Sequence, residues 1–475
     1  MRLIWQCLLV VVALHPLVAR AESPPSRPPN IVLVLADDLG WADLACYGAD
    51  LHETPHLDHL ARQGLRFTQA YAPAPVCTPT RAALLTGRHP ARLQMTIWSE
   101  GSLQRDTDRP LRQARSRHDL PHSEITLAKL LQQRGYLTAT VGKWHLGDAA
   151  HAPETHGFDI NIGGTHWGAP QTFFWPYRGA GRFGGEFRYV PHLEFGRPGE
   201  YLTDRLTDEA LRVIDHAVAV QRPFFLELAH HAPHTPIEAP AADVDYFQAR
   251  LRPEYKHQNP GYAAMVKRLD DSVGRVLARL AERGLSDSTI VIFTSDNGGY
   301  IGIDGARQLP VTSNFPLRSG KGTLYEGGLR VPLLVRWPGV TASDSVCRAP
   351  VVLTDLFPTL LASANVSFPQ GLEIDSVSLL DQWRDPQAPL KRESLYFHYP
   401  HYYHAPPSTP ASAVRSGDWK LLEFFEDQHL ELFNLGQDPS EQHDLSRSEP
   451  DRAQALLRQL QAWRKQVDAQ LPERN

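Results

Sequence analysis

Two pairs of side chains with metal-binding oxygen atoms stand directly after apolar segments of this 475-residue chain. Asp37 and Asp38 follow the first segment, and Asp296 and Asn297 follow another one much later in the chain. Carboxylate and carboxamide oxygens are the ligands that hard cations such as Ca²⁺ and Mg²⁺ prefer, whereas Zn²⁺ favours nitrogen and sulfur. Each pair taken alone is also typical of a turn. Their shared position after apolar segments favours a site for a divalent metal.

Cationic side chains and histidines occupy comparable positions. Lys143 and His145 follow an apolar segment, as does His234, and Lys321 stands between two glycines in a segment with few other charges. Such residues neutralise anions or transfer protons, although most of the 22 histidines are expected to be structural and a lysine is most often a surface residue. The positions of these four residues favour a local anion site.

The elements that must position these residues alternate between strand and helix. Apolar runs rich in β-branched residues predict buried strands over residues 31–36, 137–141, 224–229 and 290–294. Helical periodicity predicts helices over residues 123–133 and 265–280. This alternation predicts an α/β fold with a large, mostly parallel mixed sheet sandwiched by helices. In such folds ligands bind beyond the carboxyl ends of the strands, where the polar residues are expected to meet.

The pattern changes after Asp385. Residues 395–399 and 419–425 are predicted strands, and residues 434–439 are a predicted turn. We therefore expect a larger domain over residues 30–385 and a small α+β C-terminal domain over residues 386–475. One stripe of a terminal helix is predicted from Leu456, Leu460, Trp463, Val467 and Leu471.

Composition and charge exclude several classes of protein. The chain is 42% hydrophobic and 21% charged, which is typical of a globular protein and not of a disordered or multi-span membrane chain. The 48 Lys and Arg residues against 53 Asp and Glu residues give a net charge of −5. This balance provides no general electrostatic basis for binding nucleic acid, and we expect no such partner.

The first residues have the pattern of a targeting segment. Arg2, an apolar run over residues 3–18 and the sequence Ala19-Arg20-Ala21 predict a cleaved signal peptide over residues 1–21, followed by a linker over residues 22–29. Polar residues and a proline interrupt the run, which argues against the alternative of a retained membrane anchor. We expect a secreted or periplasmic protein with no stable membrane anchor.

Cleavage would leave three cysteines, Cys46, Cys77 and Cys347. Because the number is odd and the compartment is oxidising, at least one of them is not in an intramolecular disulfide. One interpretation pairs two of them and leaves the third buried. The other gives one cysteine a different chemistry.

The segment around Cys77 carries the most specific pattern. Cys77-Thr78-Pro79-Thr80-Arg81, with Leu85-Thr86-Gly87-Arg88 downstream, resembles the arylsulfatase-type sulfatases, in which the cysteine of Cys-x-Pro-x-Arg is oxidised to formylglycine. Five further motifs of the family occur in its order and extend the resemblance over nearly all of the mature chain. Thr78 and Thr80 stand where many members have serine. The further motifs are Ala36–Gly40, Gly142–Gly147, Ala232–Pro236, Thr294–Gly298 and Gly320–Arg330.

The resemblance implies a sulfate monoester hydrolase with an alkaline-phosphatase-like catalytic domain over residues 30–385. The hydrate of formylglycine at position 77 would be the nucleophile, and a formylglycine-generating or sulfatase-maturating enzyme would be a required partner. One divalent metal is implied, with Ca²⁺ expected and Mg²⁺ the alternative. Its ligands would be residue 77 together with Asp37, Asp38, Asp296 and Asn297.

Roles for the basic residues also come from the resemblance. Arg81 and Lys143 would hold the formylglycine hydroxyls, and His145 would be the base that regenerates the aldehyde. His234 and Lys321 would bind the sulfate group and assist the leaving oxygen. Lys143, His234 and Lys321 would thus also contact the substrate.

Two segments rich in aromatic residues are candidates for substrate recognition. Residues 163–189 include Trp167, and residues 398–404 include His401. Both segments could overhang the pocket and stack on a sugar ring, although such clusters more often serve packing. The sequence resembles bacterial polysaccharide and glycosaminoglycan sulfatases more than choline or alkyl sulfatases. This resemblance implies a sulfated carbohydrate, and we expect galactose sulfate or N-acetylgalactosamine sulfate.

Two alternatives remain open at this point. The first is a phosphodiesterase or phosphonate monoester hydrolase of the same superfamily. Its two-zinc members carry Asp-x-x-x-His, whereas here Asp355 is followed four places on by Thr359. The second is a catalytically dead glycan-binding protein in which Cys77 forms a disulfide with Cys46 or Cys347.

Overall fold

The computed structural model describes residues 28–103 and 107–475. The predicted signal peptide, residues 1–21, lies outside the described residues, as do residues 22–27 of the predicted linker. Within these described ranges, no helix combines the length and the apolar character needed to span a membrane.

Twenty-one strands and twelve α-helices are found in the described residues. The strands are β1 (Asn30–Ala36), β2 (Leu65–Tyr71), β3 (Leu111–Arg112), β4 (Leu137–Gly142), β5 (Ile160–Ile162), β6 (Arg178–Gly179), β7 (Arg188–Tyr189), β8 (Phe224–Ala229), β9 (Thr289–Ser295), β10 (Ile303–Asp304), β11 (Leu309–Pro310), β12 (Arg330–Arg336), β13 (Ser345–Cys347), β14 (Val351–Val352), β15 (Ser394–Tyr399), β16 (Tyr403–His404), β17 (Pro407–Ser408), β18 (Ala411–Ser416), β19 (Trp419–Phe424), β20 (Leu430–Asn434) and β21 (Glu473–Arg474). The helices are α1 (Pro55–Gln63), α2 (Cys77–Thr86), α3 (Pro90–Leu93), α4 (Ser99–Ser102), α5 (Leu127–Gln133), α6 (Leu202–Ala219), α7 (Ala241–Gln248), α8 (Pro260–Glu282), α9 (Glu326–Leu329), α10 (Leu356–Ser363), α11 (Leu380–Arg384) and α12 (Pro450–Gln466).

A nine-stranded mixed sheet forms the centre of the fold. Its order is β13-β2-β12-β9-β1-β8-β4-β5, with β14 also paired to β2. Among these described strands β12 alone runs opposite to the others, because both of its pairings, to β2 and to β9, are antiparallel. The predicted α/β fold with a large, mostly parallel mixed sheet is confirmed.

Both faces of the central sheet are covered, which explains why its inner strands are continuously apolar. In β1, Val32 and Val34 lie in one core cluster, together with residues of α1, α6 and α8. Ile31 and Leu33 point to the opposite face and pack with residues of α2, α5 and α10. All seven residues of β1 are buried.

The carboxyl ends of four adjacent parallel strands form the edge that carries the polar residues. The strands β9, β1, β8 and β4 are neighbours in this order and run in the same direction. Asp37 follows the last residue of β1, Lys143 follows β4, and Asp296 follows β9. His234 lies in the loop after β8. The sheet therefore brings residues that are up to 259 positions apart in the sequence to one edge.

A second, antiparallel sheet lies near the C-terminus, with the order β15-β18-β19-β20. Helix α12 packs on one face of it through Leu456, Leu460 and Trp463. The other face contributes Phe397 and other residues to a core cluster shared with Tyr71 and Leu324 of the preceding part of the chain.

Two predicted helix boundaries were wrong. Helix α12 ends at Gln466, so Leu471 lies beyond it and is 49% exposed. Helix α5 begins at Leu127 rather than at Ser123, because the Thr126 hydroxyl caps it by accepting a hydrogen bond from the Lys129 amide.

Candidate active site

Asp37 and Asp38 lie at the centre of the polar edge, immediately after β1. The Asp37 amide donates to the carbonyl of Ala232 in the loop after β8, at 3.1 Å. The Asp38 amide donates to Oδ1 of Asp296 after β9, at 3.3 Å. Both carboxylates are buried. These contacts tie the ends of three neighbouring strands together.

Cys77 is the first residue of α2, and every residue of that helix is buried. Its Sγ lies 3.4 Å from Oδ1 of Asp37 and 4.0 Å from Oδ1 of Asp38. The hydroxyl of Thr78 donates to the carbonyl of His145 at 2.9 Å and so joins the start of the helix to the loop after β4. The thiol is thus held against the carboxylate pair.

Arg81 lies one helical turn after Cys77 and links α2 to two strand ends. Its Nε donates to Oδ2 of Asp296 at 2.8 Å, and its Nη1 donates to the carbonyl of Lys143 at 2.9 Å. Its Nη2 is buried and has no hydrogen-bond partner among the described residues. That N–H group is available to a bound group beside residue 77.

Two ammonium groups neutralise the aspartate pair. Lys143 Nζ donates to Oδ2 of Asp37 at 2.7 Å, and both side chains are fully buried. Lys321 Nζ donates to Oδ2 of Asp38 at 2.8 Å and lies 3.5 Å from Sγ of Cys77. These contacts are charge-assisted and place two cations around the thiol.

Gly142 is required for the position of Lys143. It has a φ of +111°, and a Cβ atom at this position would lie 1.9 Å from the carbonyl oxygen of Ala229 in β8. A residue with a side chain would therefore push β4 away from β8. The absence of a side chain lets the Lys143 amide donate to that same carbonyl at 2.7 Å.

His234 and His145 both line the cleft that contains the Cys77 thiol. Nδ1 of His234 lies 2.7 Å from the carbonyl of Thr235 and must carry the proton, so Nε2, 3.5 Å from Oδ2 of Asp38, presents its lone pair. Both ring nitrogens of His145 are buried without a partner in the described residues. Burial lowers the pKa of His145 to about 4 and that of His234 to about 3, so both rings are neutral at pH 7.

The pKa values of the Asp37 and Asp38 carboxyl groups are shifted in opposite directions. Burial, partly offset by Lys143 and reinforced by Asp296, raises the pKa of Asp37 to about 7. Burial also acts on Asp38, but neighbouring cations, Lys321 among them, outweigh it and lower the pKa of Asp38 to about 2. Burial raises the pKa of the Cys77 thiol, so an unmodified Cys77 would be a poor nucleophile.

The residues at this edge fit a hard divalent cation. Donor atoms of Asp37, Asp38, Cys77 and His234 lie within 4.8 Å of one another. Asn297 donates from Nδ2 to Oδ1 of Asp38 at 2.8 Å, while its own Oδ1 is buried with no donor among the described residues. A buried carbonyl oxygen without a donor is costly unless a cation satisfies it. The oxygen-rich donor set is the type that Ca²⁺ and Mg²⁺ bind.

The site opens into a cleft of about 620 Å³. Asp38, Cys77, His145, His234 and Lys321 line its base. We call the other lining residues the rim; they include Trp98, Glu100, Phe183, Glu186, Arg188, Tyr300, Tyr403 and His404.

The structure brings ten of the twelve predicted site residues together and leaves two elsewhere. Trp167 is buried and packs edge-on against Tyr189, although its neighbour Gly168 does line the cleft. His401 is fully buried, with Nε2 at 2.7 Å from the Thr96 hydroxyl, so it packs the segment instead of facing the cleft. The same segment reaches the rim two and three residues later, through Tyr403 and His404.

Glu100 and Arg188 of the rim were not predicted. Oε2 of Glu100 lies 3.9 Å from Nε2 of His145, and Arg188 Nη2 donates to Oε1 of Glu100 at 3.3 Å. Arg188 lies within the aromatic segment 163–189, and a charged residue in that segment could have been predicted to line the cleft. Glu100 lies in the short helix α4 and had no comparable signal.

Cys46, Cys77 and Cys347 are all free. The interpretation that pairs two of them is therefore wrong for this structure, as is the alternative that places Cys77 in a disulfide. The Sγ of Cys77 points to Asp37 instead.

Two family models match the chain. The model described as Sulfatase matches residues 29–366, and the model described as N-sulphoglucosamine sulphohydrolase, C-terminal, matches residues 319–469. Together they span both the central sheet and the antiparallel sheet.

Curated and structurally solved proteins are similar along most of the chain. N-acetylgalactosamine-6-sulfatase of Mus musculus is 33% identical, over 98% of this chain and 91% of that protein. Steryl-sulfatase of Mus musculus is 36% identical, over 84% of this chain and 72% of that protein. A crystal structure of Ps i-CgsB in complex with k-i-k-neocarrahexaose is 32% identical with a TM-score of 0.76, over 92% of this chain and 93% of that one.

Proposed function

The chain belongs to the sulfatase family and is a sulfuric ester hydrolase, and on this premise we propose that it cleaves sulfate monoesters of a carbohydrate with a nucleophile made from Cys77. The observation that carries the proposal is the position of Cys77. Its Sγ lies at the first turn of α2, 3.4 Å from Oδ1 of Asp37 and 3.5 Å from Nζ of Lys321.

Two groups are proposed to complete the site. Asp37, Asp38, Asp296 and Asn297 would hold one divalent metal with residue 77, and Ca²⁺ is our choice over Mg²⁺. The metal, when bound, supplies positive charge beside a sulfuryl oxygen. Formylglycine at position 77 supplies, as its hydrate, one hydroxyl for attack and a second for release of sulfate.

The cations of the chain neutralise the reacting anion. Lys143 donates a hydrogen bond to Asp37, and Lys321 donates one to Asp38. Both ammonium groups are therefore close to an anion bound at residue 77. Arg81 directs its unpartnered Nη2 to the same region. Fixed cations in a water-poor site stabilise the charge that develops on the sulfuryl oxygens.

The two histidines are proposed to move protons. His145, neutral and without a hydrogen-bond partner among the described residues, can accept a proton when the aldehyde is regenerated. The negative charge of a bound sulfate ester raises the proton affinity of His234. His234 Nε2 can then donate a proton to the leaving oxygen.

A sulfated carbohydrate is the proposed substrate, and galactose sulfate or N-acetylgalactosamine sulfate is the preferred form. The N-acetylgalactosamine-6-sulfatase relative and the structure with neocarrahexaose support this choice. Trp98, Tyr300 and Tyr403 at the rim provide rings of the type that stack on sugars.

Export and maturation belong to the same proposal. The pattern of residues 1–21 supports a signal peptide and a secreted or periplasmic enzyme. The motif at residues 77–81 supports recognition by a formylglycine-generating or sulfatase-maturating enzyme.

The environment of Asp355 argues against a two-metal phosphodiesterase. Its carboxylate makes two hydrogen bonds with Arg392, at 2.7 and 2.8 Å, and accepts further ones from the amides of Val352 and Val377. Both oxygen atoms of Asp355 thus accept hydrogen bonds from protein donors, which argues against their binding a second metal ion.

Mass spectrometry of the tryptic peptide of residues 67–81, from protein made in its native host, tests the proposal. We expect an aldehyde in place of the Cys77 thiol, and turnover of para-nitrophenyl sulfate well above that of bis(para-nitrophenyl) phosphate. Cys77→Ala should lose about 10³-fold or more of the sulfatase activity, whereas the control Cys46→Ala retains it. An unmodified thiol in the presence of a competent modifying enzyme, or a preference for the phosphate diester, would overturn it.

A further inference from the structure

A second chamber of about 550 Å³ adjoins the cleft. We call it the side chamber and define it by Phe174, Arg182, Ile237, Glu238, Ile303 and Arg307, together with Phe183 and Thr235, which also line the cleft. Because His234 and Thr235 are consecutive, the side chamber begins directly beside the histidine at the base of the cleft. The two cavities are therefore neighbours that share Phe183 and Thr235 as lining residues.

From this adjacency, and resting on the proposed function, we propose that the side chamber binds the neighbouring sugar of an anionic glycan while the sulfated sugar occupies the cleft. Its volume lies within the usual range for ligand sites, about 300–1,000 Å³. Phe174, Ile237 and Ile303 provide apolar surface, and Phe183 lies between the two cavities. The proposed occupant is thus a second sugar of the same glycan molecule.

The two carboxylates of the side chamber, Glu238 and Asp304, are already engaged by protein donors. The carboxylate of Glu238 accepts hydrogen bonds from Arg182, from the Thr172 hydroxyl and from the Phe173 amide. The carboxylate of Asp304 is similarly occupied by protein donors. Neither carboxylate depends on a ligand for its hydrogen bonds.

The guanidinium groups, by contrast, retain donors. Within the described residues, the hydrogen bonds of Arg307 come from Nη1 alone, to the carbonyl of Ile237 and to Oδ2 of Asp304. Those of Arg182 come from Nη2 alone, to Glu238. The remaining N–H groups suit the oxygen atoms of a sulfate or carboxylate group on the neighbouring sugar.

Arg307 is also held in place by the backbone beneath it. Its Cζ lies 2.5 Å from the point where a Cβ of Gly261 would stand, so the guanidinium packs directly on the start of α8. A fixed cation loses little conformational entropy when it binds an anion. This packing makes Arg307 the main residue that would recognise the anionic group.

The test measures how binding depends on glycan length. Calorimetry with the full chain in the Cys77→Ala background would compare sulfated monosaccharides with tetrasaccharides of carrageenan, whose neighbouring sugars carry sulfate, and of chondroitin sulfate, whose neighbouring sugars carry carboxylate. We expect tetrasaccharides of one series to bind about tenfold or more tightly than the monosaccharides. The series that gains affinity identifies the anionic group.

Two variants locate the effect. Ile303 lines the side chamber, so the larger side chain of Ile303→Trp should obstruct it and remove the length dependence. Because Ile303 is 58% exposed, the substitution should leave the core intact. Val218→Trp is the matched control, because Val218 is 40% exposed and lines a different cavity, next to the amino ends of β1 and β8. Arg307→Gln should reduce tetrasaccharide binding about tenfold and leave monosaccharide binding unchanged.

The outcomes separate this inference from the proposed function. Equal binding of monosaccharides and tetrasaccharides in both series would overturn the proposal that the side chamber binds the neighbouring sugar. Length dependence that persists in Ile303→Trp would overturn it as well. Turnover of para-nitrophenyl sulfate, measured in parallel with Cys77 intact, reports only on the proposed function. Normal turnover by Ile303→Trp would also show that this variant is folded.

Discussion

Arg81 and Asp296 form a buried ion pair in which Nε of the arginine lies 2.8 Å from Oδ2 of the aspartate. The two side chains are 2% and 0% exposed. Oδ1 of the same aspartate accepts from the Asp38 amide, so the pair connects the helix of Cys77 to the ends of β9 and β1. This one interaction couples the nucleophile helix to the proposed metal ligands.

Removal of this pair should destabilise the protein strongly. Arg81→Gln leaves the buried carboxylate of Asp296 without its cation, and breaking such a pair costs about 3–5 kcal/mol. Urea unfolding measures the loss in the free energy of unfolding. The control is Arg212→Gln, in which a 66% exposed side chain loses its pair with Glu209 at a cost below about 1 kcal/mol. Equal urea midpoints for the two variants would contradict the structural role of the buried pair.

Metal binding should stabilise the folded chain, because the oxygen ligands meet only after folding. After chelation, Ca²⁺ at about 100 times its Kd should add about 2.7 kcal/mol to the free energy of unfolding and raise the Tm. Asn297→Ala removes the buried carbonyl oxygen without a donor and should shrink this gain. Differential scanning calorimetry, with Mg²⁺ in a parallel series, measures both effects.

The matched control for this experiment is Asn161→Ala, since Asn161 lies in β5 and its side chain bonds to Glu154 and Gly164. We expect its response to Ca²⁺ to equal that of the unaltered chain. A Tm that neither ion changes in the unaltered chain would argue against the metal site.

The general placement of the site follows from residues that can be recognised without the structure. The apolar runs of β1, β4, β8 and β9 indicate strands buried on both faces, and each is followed by polar residues. Parallel strands end at one edge, so the meeting of Asp37, Lys143 and Asp296 is a consequence of the fold class. The fold and the positions of these residues could thus be predicted together.

Loop residues could not be placed in this way. Lys321 follows no strand directly, and only its motif indicated a role. His401 and Tyr403 lie two positions apart in the same aromatic segment, yet the first is packed against Thr96 and the second faces the cleft. The difference depends on tertiary contacts of the segment, which the local pattern does not encode.

The distance between Glu100 and His145 predicts a shift in the pH dependence of turnover. Burial is the main cause of the low pKa of His145, about 4, and neighbouring Glu100 opposes that lowering. Glu100→Gln removes the negative charge, so the pKa of His145 falls further. If His145 acts as the base, the acid limb of the kcat profile should move to lower pH by about half a unit to one unit.

Steady-state assays of a sulfate ester across the acid range measure this limb. Glu186→Gln is the control, because the Glu186 carboxylate also lines the cleft but bonds to Arg188, at 2.8 Å. It should leave the acid limb in place. An unmoved limb in Glu100→Gln would show that Glu100 does not act on the catalytic base.

Stability in acid should depend on His398, a buried residue of β15 outside the cleft. Its ring lies 2.6 Å from the Ser412 hydroxyl and 2.8 Å from the carbonyl of Gln470, and burial lowers its pKa to about 3.

The ordinary pKa of histidine is 6.5. Between pH 6.5 and about pH 3, His398 of the unfolded chain binds a proton that the folded chain does not bind, so the free energy of unfolding decreases as the pH falls. From pH 7 to 4.5 this one residue accounts for a loss of about 2–3 kcal/mol. His398→Gln should therefore lose less stability than the unaltered chain over this range, as measured by urea unfolding at each pH, whereas His118→Gln, at an exposed position, should follow the unaltered chain. Parallel pH profiles for His398→Gln and the unaltered chain would contradict the assignment of a buried neutral imidazole.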